Sequence, residues 1–236
     1  MLLSPAQVNP RFYRTHFLTV LTLTAAGAVL LKTGSAAVWL ALSCALLFSF
    51  LGALAWSLSS APGGKILVVL SSLALVLSLV LRARAGTAEE PTASALDANL
   101  VVAGELSSAA LLGAATTAML MGHSYLIAPS MSLVPLFRLL GALLGAVLAR
   151  AAVAGLGLWY WSAEHSLRDW NDVTLLLPLR WGLGFLAPVV LGVLAWQTAR
   201  IRSTQSATGI LYVVVIFCFL GELLGQLLLG MTGFIL

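Results

Sequence analysis

The sequence predicts an all-α integral membrane protein, a seven-helix transmembrane bundle with one amphipathic connector lying in the membrane interface. Three observations lead there. Hydrophobic residues make up 61% of the 236 and charged residues only 8%, and the mean hydropathy is +1.05, so most of the surface must face something as apolar as lipid. The apolar residues gather into runs close to the about 20 that a helix needs to cross a hydrocarbon core roughly 30 Å thick. These runs lack the alternation of a membrane barrel and exceed its strand length, so the backbone must close its hydrogen bonds within helices.

Seven runs qualify, at approximately 15–32, 36–59, 64–82, 97–121, 133–160, 180–199 and 209–235. The first follows MLLSPAQVNPRFYRTHF, which carries two arginines and no cleavage site of small residues, and this segment is expected to be retained. APGGK at 61–65 is a tight turn before the third run. The fourth opens on Ser94-Ala-Leu-Asp97, a capping-box pattern whose serine accepts from free amides and whose aspartate suits the positive helix end. GHSYLIAP at 122–129 ends that helix, because Pro129 cannot continue it.

Between the fifth and sixth runs lies WSAEHSLRDWNDVTLLLP, amphipathic and flanked by Trp159, Tyr160, Trp161, Trp170 and Trp181. It is the expected interfacial connector and, on the far side of the membrane, the expected contact for a partner protein; an aromatic belt alone is the plainer reading. TQSATG at 204–209 opens the last run and supplies capping hydroxyls. No internal duplication and no compositional break appears, so a single domain over 1–236 is expected rather than matched inverted repeats.

Seven crossings put the chain ends on opposite sides. The N-terminal side then holds Arg11, Arg14, Lys65, Arg138, Arg200 and Arg202, and the other Lys32, Arg82, Arg84, Arg168 and Arg180, six basic residues against five. That small excess favours a cytoplasmic N-terminus in a bacterial plasma (inner) membrane. The net charge of +4 does not point to nucleic acid, since the basic residues are scattered singly between apolar runs. Cys44 and Cys218 both sit in apolar runs and read as small buried side chains, not as a disulfide or a thiolate site.

Ionisable residues inside the bilayer cost on the order of 3 kcal/mol each and need a partner or a task. Glu105, Arg150 and Glu222 are the three. On the fourth helix Glu105 and His123, 18 residues apart, share a face, yet roughly 27 Å separates them along the axis. On the last helix Cys218, Glu222 and Gln226 follow at i+4 steps, beside Gly221 and Gly225, whose small-xxx-small spacing admits a close neighbour. Gly141 and Gly145 repeat the device on the fifth helix, followed by Arg150 near mid-span. Pairing of Arg150 with Glu222 or with Glu105 offsets the burial cost. Such a network is either a structural brace or a functional one, in which a carboxylate passes protons or meets a ligand.

His123, Tyr125 and Arg138 gather near one helix end. They suit a quinone head group, whose carbonyls want donors, or they cap the turn and anchor it in the headgroups. His16 and His123 together are the minimum for a b-type haem, but haem is disfavoured because the chain has only three histidines and haem bundles bury their ligands within the helices. No HExxH, GxSxG, Walker or CxxC sequence occurs, which removes the common hydrolase, metalloprotease and nucleotide-driven classes. A retinal Schiff base is excluded too, since the last run has no lysine.

The ending FLGELLGQLLL resembles the last helix of the membrane anchors of DMSO-reductase-type and related quinone-linked redox complexes. The resemblance covers about a dozen residues in one span and implies a hydrophobic subunit passing electrons between quinone and an attached iron–sulfur chain; no site residue is carried over from it. The first functional expectation is accordingly an integral subunit of a larger respiratory or redox membrane complex, more subunit than stand-alone enzyme, with quinone near His123, Tyr125 and Arg138. The second is a small proton-coupled carrier or lipid-handling protein using Glu105, Arg150 and Glu222. The third is a membrane scaffold or assembly factor.

Overall fold

The computed structural model describes residues 10–31, 34–58, 63–88, 95–127, 131–164 and 173–236, and these are all-helical, with no strand among the described residues. In chain order the elements are α1 (Pro10–Leu30), α2 (Ala36–Ala55), α3 (Gly64–Ala88), α4 (Ala95–Ile127), α5 (Val134–Glu164), α6 (Leu176–Trp181), a π-helical turn (Gly182–Leu186), α7 (Ala187–Arg200) and α8 (Thr204–Thr232). The chain divides into two compact units, Ser4–Leu106 and Ser107–Leu236, with the boundary inside α4.

Six helical segments are long and apolar enough to cross a membrane: Ala36–Ala55, Gly64–Ala85, Ala98–Ile127, Val134–Ala163, Leu176–Arg200 and Thr204–Thr232. The expected count of seven is therefore corrected to six by length and composition. The run at 15–32 forms a helix, α1, but Arg14, His16 and the threonines at 15, 19, 22 and 24 dilute its apolar character. Thr19 and Thr22 return their hydroxyls to the carbonyls of Thr15 and Leu18 (2.9 and 3.0 Å), so the helix itself absorbs that polarity. The sixth run also begins earlier than expected, at Leu176 instead of residue 180.

In the first unit α2 packs between α1 and α3. Its inner face is a stripe of small residues, Ala41, Ala45, Ser49, Gly52 and Ala53, all buried. Gly52 receives the Phe17 ring where any β-carbon would overlap it. One turn along, Tyr13 stacks on Trp56 with centroids 4.3 Å apart. The pairs 17/52 and 13/56 share one sum of residue numbers, which is the register of an antiparallel hairpin. Gly63, at φ +69°, stands in the glycine turn just before α3, while Ala61 and Pro62 lie outside the described residues, as does Ser94 of the capping box.

In the second unit α8 packs on α6, the π turn and α7, and α5 packs on α7. Gly122 of α4 lies against Thr208 of α8, while Ser108 of α4 hydrogen-bonds Glu222 of α8. Those two pairs also share one sum, so α4 and α8 run antiparallel over about 21 Å. The π turn has a local cause. Pro188 has no N–H to offer and its ring crowds the carbonyl of Gly184, so the chain inserts an extra residue, and the Ala187 amide reaches back five positions to Gly182. Gly233, at φ +74°, ends α8 and its N–H bonds Leu229.

Of the expected connector, 165–172 lies outside the described residues. At its edges Trp159 is 73% exposed, as an interfacial aromatic is. Trp161 instead turns inward and closes one end of the unit with Val173, Leu228 and Leu236. The outward helix faces are largely apolar, with Leu40, Leu47, Leu73, Leu148, Ile216 and Leu223 all exposed. In water such a surface would drive aggregation, and lipid is the solvent that matches it.

Candidate functional site

The polar centre of the second unit is built around Glu222. GELLG places Glu222 between Gly221 and Gly225 on α8, and the carboxylate is reached from three other segments. Arg150 of α5 donates Nε to Oε1 at 3.1 Å and Nη2 to Oε2 at 3.2 Å, a bidentate grip. Arg180 of α6 donates Nη2 to Oε1 at 2.9 Å. Ser108 of α4 donates its hydroxyl to Oε2 at 2.7 Å. Arg150, Arg180 and Glu222 are 4%, 0% and 5% exposed.

Arg150 lies at the middle of a 31-residue helix, and Glu222 lies about 6 Å along the axis from the middle of α8. Both therefore sit near the middle of helices long and apolar enough to cross a membrane. Arg180 arrives differently. Its Cα stands one turn into the Leu176–Arg200 segment, and instead of snorkelling outward it sends its guanidinium inward to the carboxylate. Glycines make that possible. A β-carbon on Gly184 would meet Arg180 Nη1 at 2.8 Å, and one on Gly225 would meet Arg180 Nε at 3.2 Å. Phe185 closes the slot with its ring, whose centroid is 4.3 Å from the guanidinium carbon, a favourable cation–π geometry.

The charges do not balance. Among the described residues two guanidiniums face one carboxylate, an excess of one positive charge in the buried cluster. Three buried N–H groups, Arg150 Nη1, Arg180 Nε and Arg180 Nη1, find no acceptor among the described residues. An unmatched buried cation costs several kcal/mol, so the arrangement is a poor choice if its only task is to hold helices together.

Of the residues singled out in the sequence, Arg150 and Glu222 meet as one of the two pairings foreseen. Glu105 is half-buried and is not among the groups bonded to Glu222. Cys218 is fully buried one turn before Glu222, whereas Gln226, one turn after, is exposed. Two i+4 steps drift by about 80°, enough to carry the end of the stripe out of the interior. Arg180, expected as the first residue of the sixth run, stands instead one turn inside its helix, since five apolar residues, Leu175 to Leu179, precede it. Ser108 carries no sequence signal beyond its place on the same helix as Glu105.

His123 and Tyr125, two positions apart on α4, face different ways. Tyr125 is fully buried and donates its hydroxyl to the Ser132 carbonyl, tying the end of α4 to the turn into α5. His123 is exposed and meets the Tyr212 hydroxyl of α8 at 3.4 Å. Arg138 is exposed in the first turns of α5. His16 uses Nδ1 on the Phe12 carbonyl of its own helix, at 2.9 Å, and no group of three or more His, Cys, Asp or Glu suited to a metal occurs among the described residues. No family model, curated protein or solved structure matches the chain.

Proposed function

We propose that the protein is a small multi-pass membrane carrier, of the proton-coupled or lipid-handling class, with Arg150, Glu222 and Arg180 as its internal coupling element. The observation that carries this reading is the two-to-one ratio of buried arginines to carboxylate. A brace between two helices needs one arginine, and a second only adds desolvation cost. A carboxylate shared by two arginines on different segments is suited to favour one partner or the other as those segments shift, which is the two-state behaviour a carrier requires. The π turn between Arg180 and Pro188 supplies a place where the segment can bend.

A second reading, the quinone-linked subunit of a redox complex with further protein partners, is favoured by one observation, the His123–Tyr212 contact on an exposed helix face. That contact offers a quinone carbonyl a donor beside lipid.

The test is reconstitution of the purified chain in liposomes holding a pH-sensitive dye, with a fluorescently labelled phospholipid in the bilayer. The expected result is proton flux or lipid movement that depends on pH and is lost in Glu222→Gln. A chain that is inert alone, but co-purifies with others and alters their quinone reduction, would overturn the carrier in favour of the subunit.

A further inference from the structure

We infer that the Arg150–Glu222–Arg180 cluster is a binding site for a singly charged oxyanion, a carboxylate or a phosphate group, which docks on the arginine edge that Glu222 leaves open. This names the substrate class of the proposed carrier and rests on that reading for transport, though not for binding.

Three features of the cluster point to this ligand. The first is charge. Two guanidiniums against one carboxylate leave a single positive charge, so the missing partner carries one negative charge. The second is donor geometry. Arg150 is engaged through Nε and Nη2 and keeps Nη1 buried without an acceptor. Planar N–H groups of this kind pair with the oxygens of carboxylates and phosphates better than with a spherical ion. The third is which donor remains. The spare N–H groups of Arg180 are packed against Gly184, Gly221 and Gly225, which leaves Arg150 Nη1, buried and without an acceptor, as the donor for a ligand. Ser108, half-buried beside the carboxylate, adds a hydroxyl that can turn from Glu222 to the newcomer.

Glu222 is then both scaffold and competitor. It holds the two arginines together when no ligand is present and repels the ligand when one arrives. Removing its charge is expected to strengthen oxyanion binding, the reverse of what a merely structural carboxylate predicts. Removing Arg150 is expected to abolish it.

The experiment follows thermal unfolding of the detergent-purified full chain by tryptophan fluorescence. Probes at matched ionic strength are acetate, inorganic phosphate, dodecanoate and phosphatidylglycerol, with chloride and phosphatidylcholine as controls. A ligand that binds only the folded state raises the midpoint with concentration. Stabilisation by acetate or inorganic phosphate assigns a free anion, and stabilisation by dodecanoate or phosphatidylglycerol alone assigns a lipid-borne one. Glu222→Gln is expected to bind the effective probe roughly tenfold tighter or more, and Arg150→Met at least roughly tenfold weaker.

Lack of stabilisation of the wild-type chain by all four probes overturns the inference, whatever the variants do. So does an affinity unchanged in both variants. If Glu222→Gln does not fold, the wild-type titration and Arg150→Met decide. Binding without flux in liposomes overturns the carrier and keeps the site, whereas flux without binding overturns the site and keeps the carrier.

Discussion

Gly221→Ala is expected to cost more folded protein than the same change elsewhere on α8. A β-carbon at Gly221 would overlap the Cα of Gly184, and one at Gly184 would come within 2.9 Å of the Cα of Gly221. Both obstacles are backbone, so relief requires α8 and the π turn to move apart. That separation would draw Arg180 off Glu222, adding a lost buried contact to the roughly 1–3 kcal/mol that overpacking usually costs. Gly209 and Gly230, on the same helix, have nothing within 4 Å of an added β-carbon. Alanine at those positions is expected to be neutral or to stabilise by up to about 1 kcal/mol through helix propensity. Unfolding midpoints and monodisperse yield in detergent separate the cases, and equal behaviour of Gly221→Ala and Gly230→Ala would rule out the close crossing.

Glu222→Leu is the second large effect. It leaves two buried guanidiniums facing each other without an anion, and removing one partner from a buried pair costs roughly 3–5 kcal/mol even when only one charge is stranded. Arg180→Met is expected to be milder, because it leaves the neutral Arg150–Glu222 pair with its bidentate bonds and its serine. Arg150→Met falls between them, since Arg180 holds the carboxylate through one nitrogen. This ranking, read from midpoints and denaturant unfolding, differs from that of three independent surface charges, where each change is worth about 0–1 kcal/mol.

Much of this architecture is legible in the sequence, for physical reasons that also mark where legibility ends. Apolar runs at bilayer length announce helices because no other single-segment structure satisfies its backbone in lipid. The meeting of Arg150 with Glu222 is foreseeable because two lone charges at similar depth have few other partners. Arg180 is harder. Counting charges between runs sorts every basic residue at a run edge into a loop, and only the apolar lead-in from Leu175 to Leu179 shows that this one is already inside a helix. Likewise, the glycines of GELLG announce a close helix neighbour without saying which, and the partner, Gly184, sits in a π turn that depends on Pro188 four residues later. His123 and Tyr125 look like one site because they are adjacent in the chain, yet two steps on a helix turn side chains by about 200° and send them to opposite faces. For α1, composition understates the helix, since its threonine hydroxyls are spent on its own backbone.

The central claim is that Arg180 is drawn into the membrane interior to share Glu222 with Arg150. A double-mutant cycle on the purified chain tests it most directly, comparing the unfolding free energies of wild type, Arg180→Met, Glu222→Leu and the double variant. Contact predicts that the double variant is more stable than the sum of the single losses implies, by roughly 1.5 kcal/mol or more. Losses that add to within about 0.5 kcal/mol would place Arg180 outside the cluster, and the excess buried charge would no longer exist.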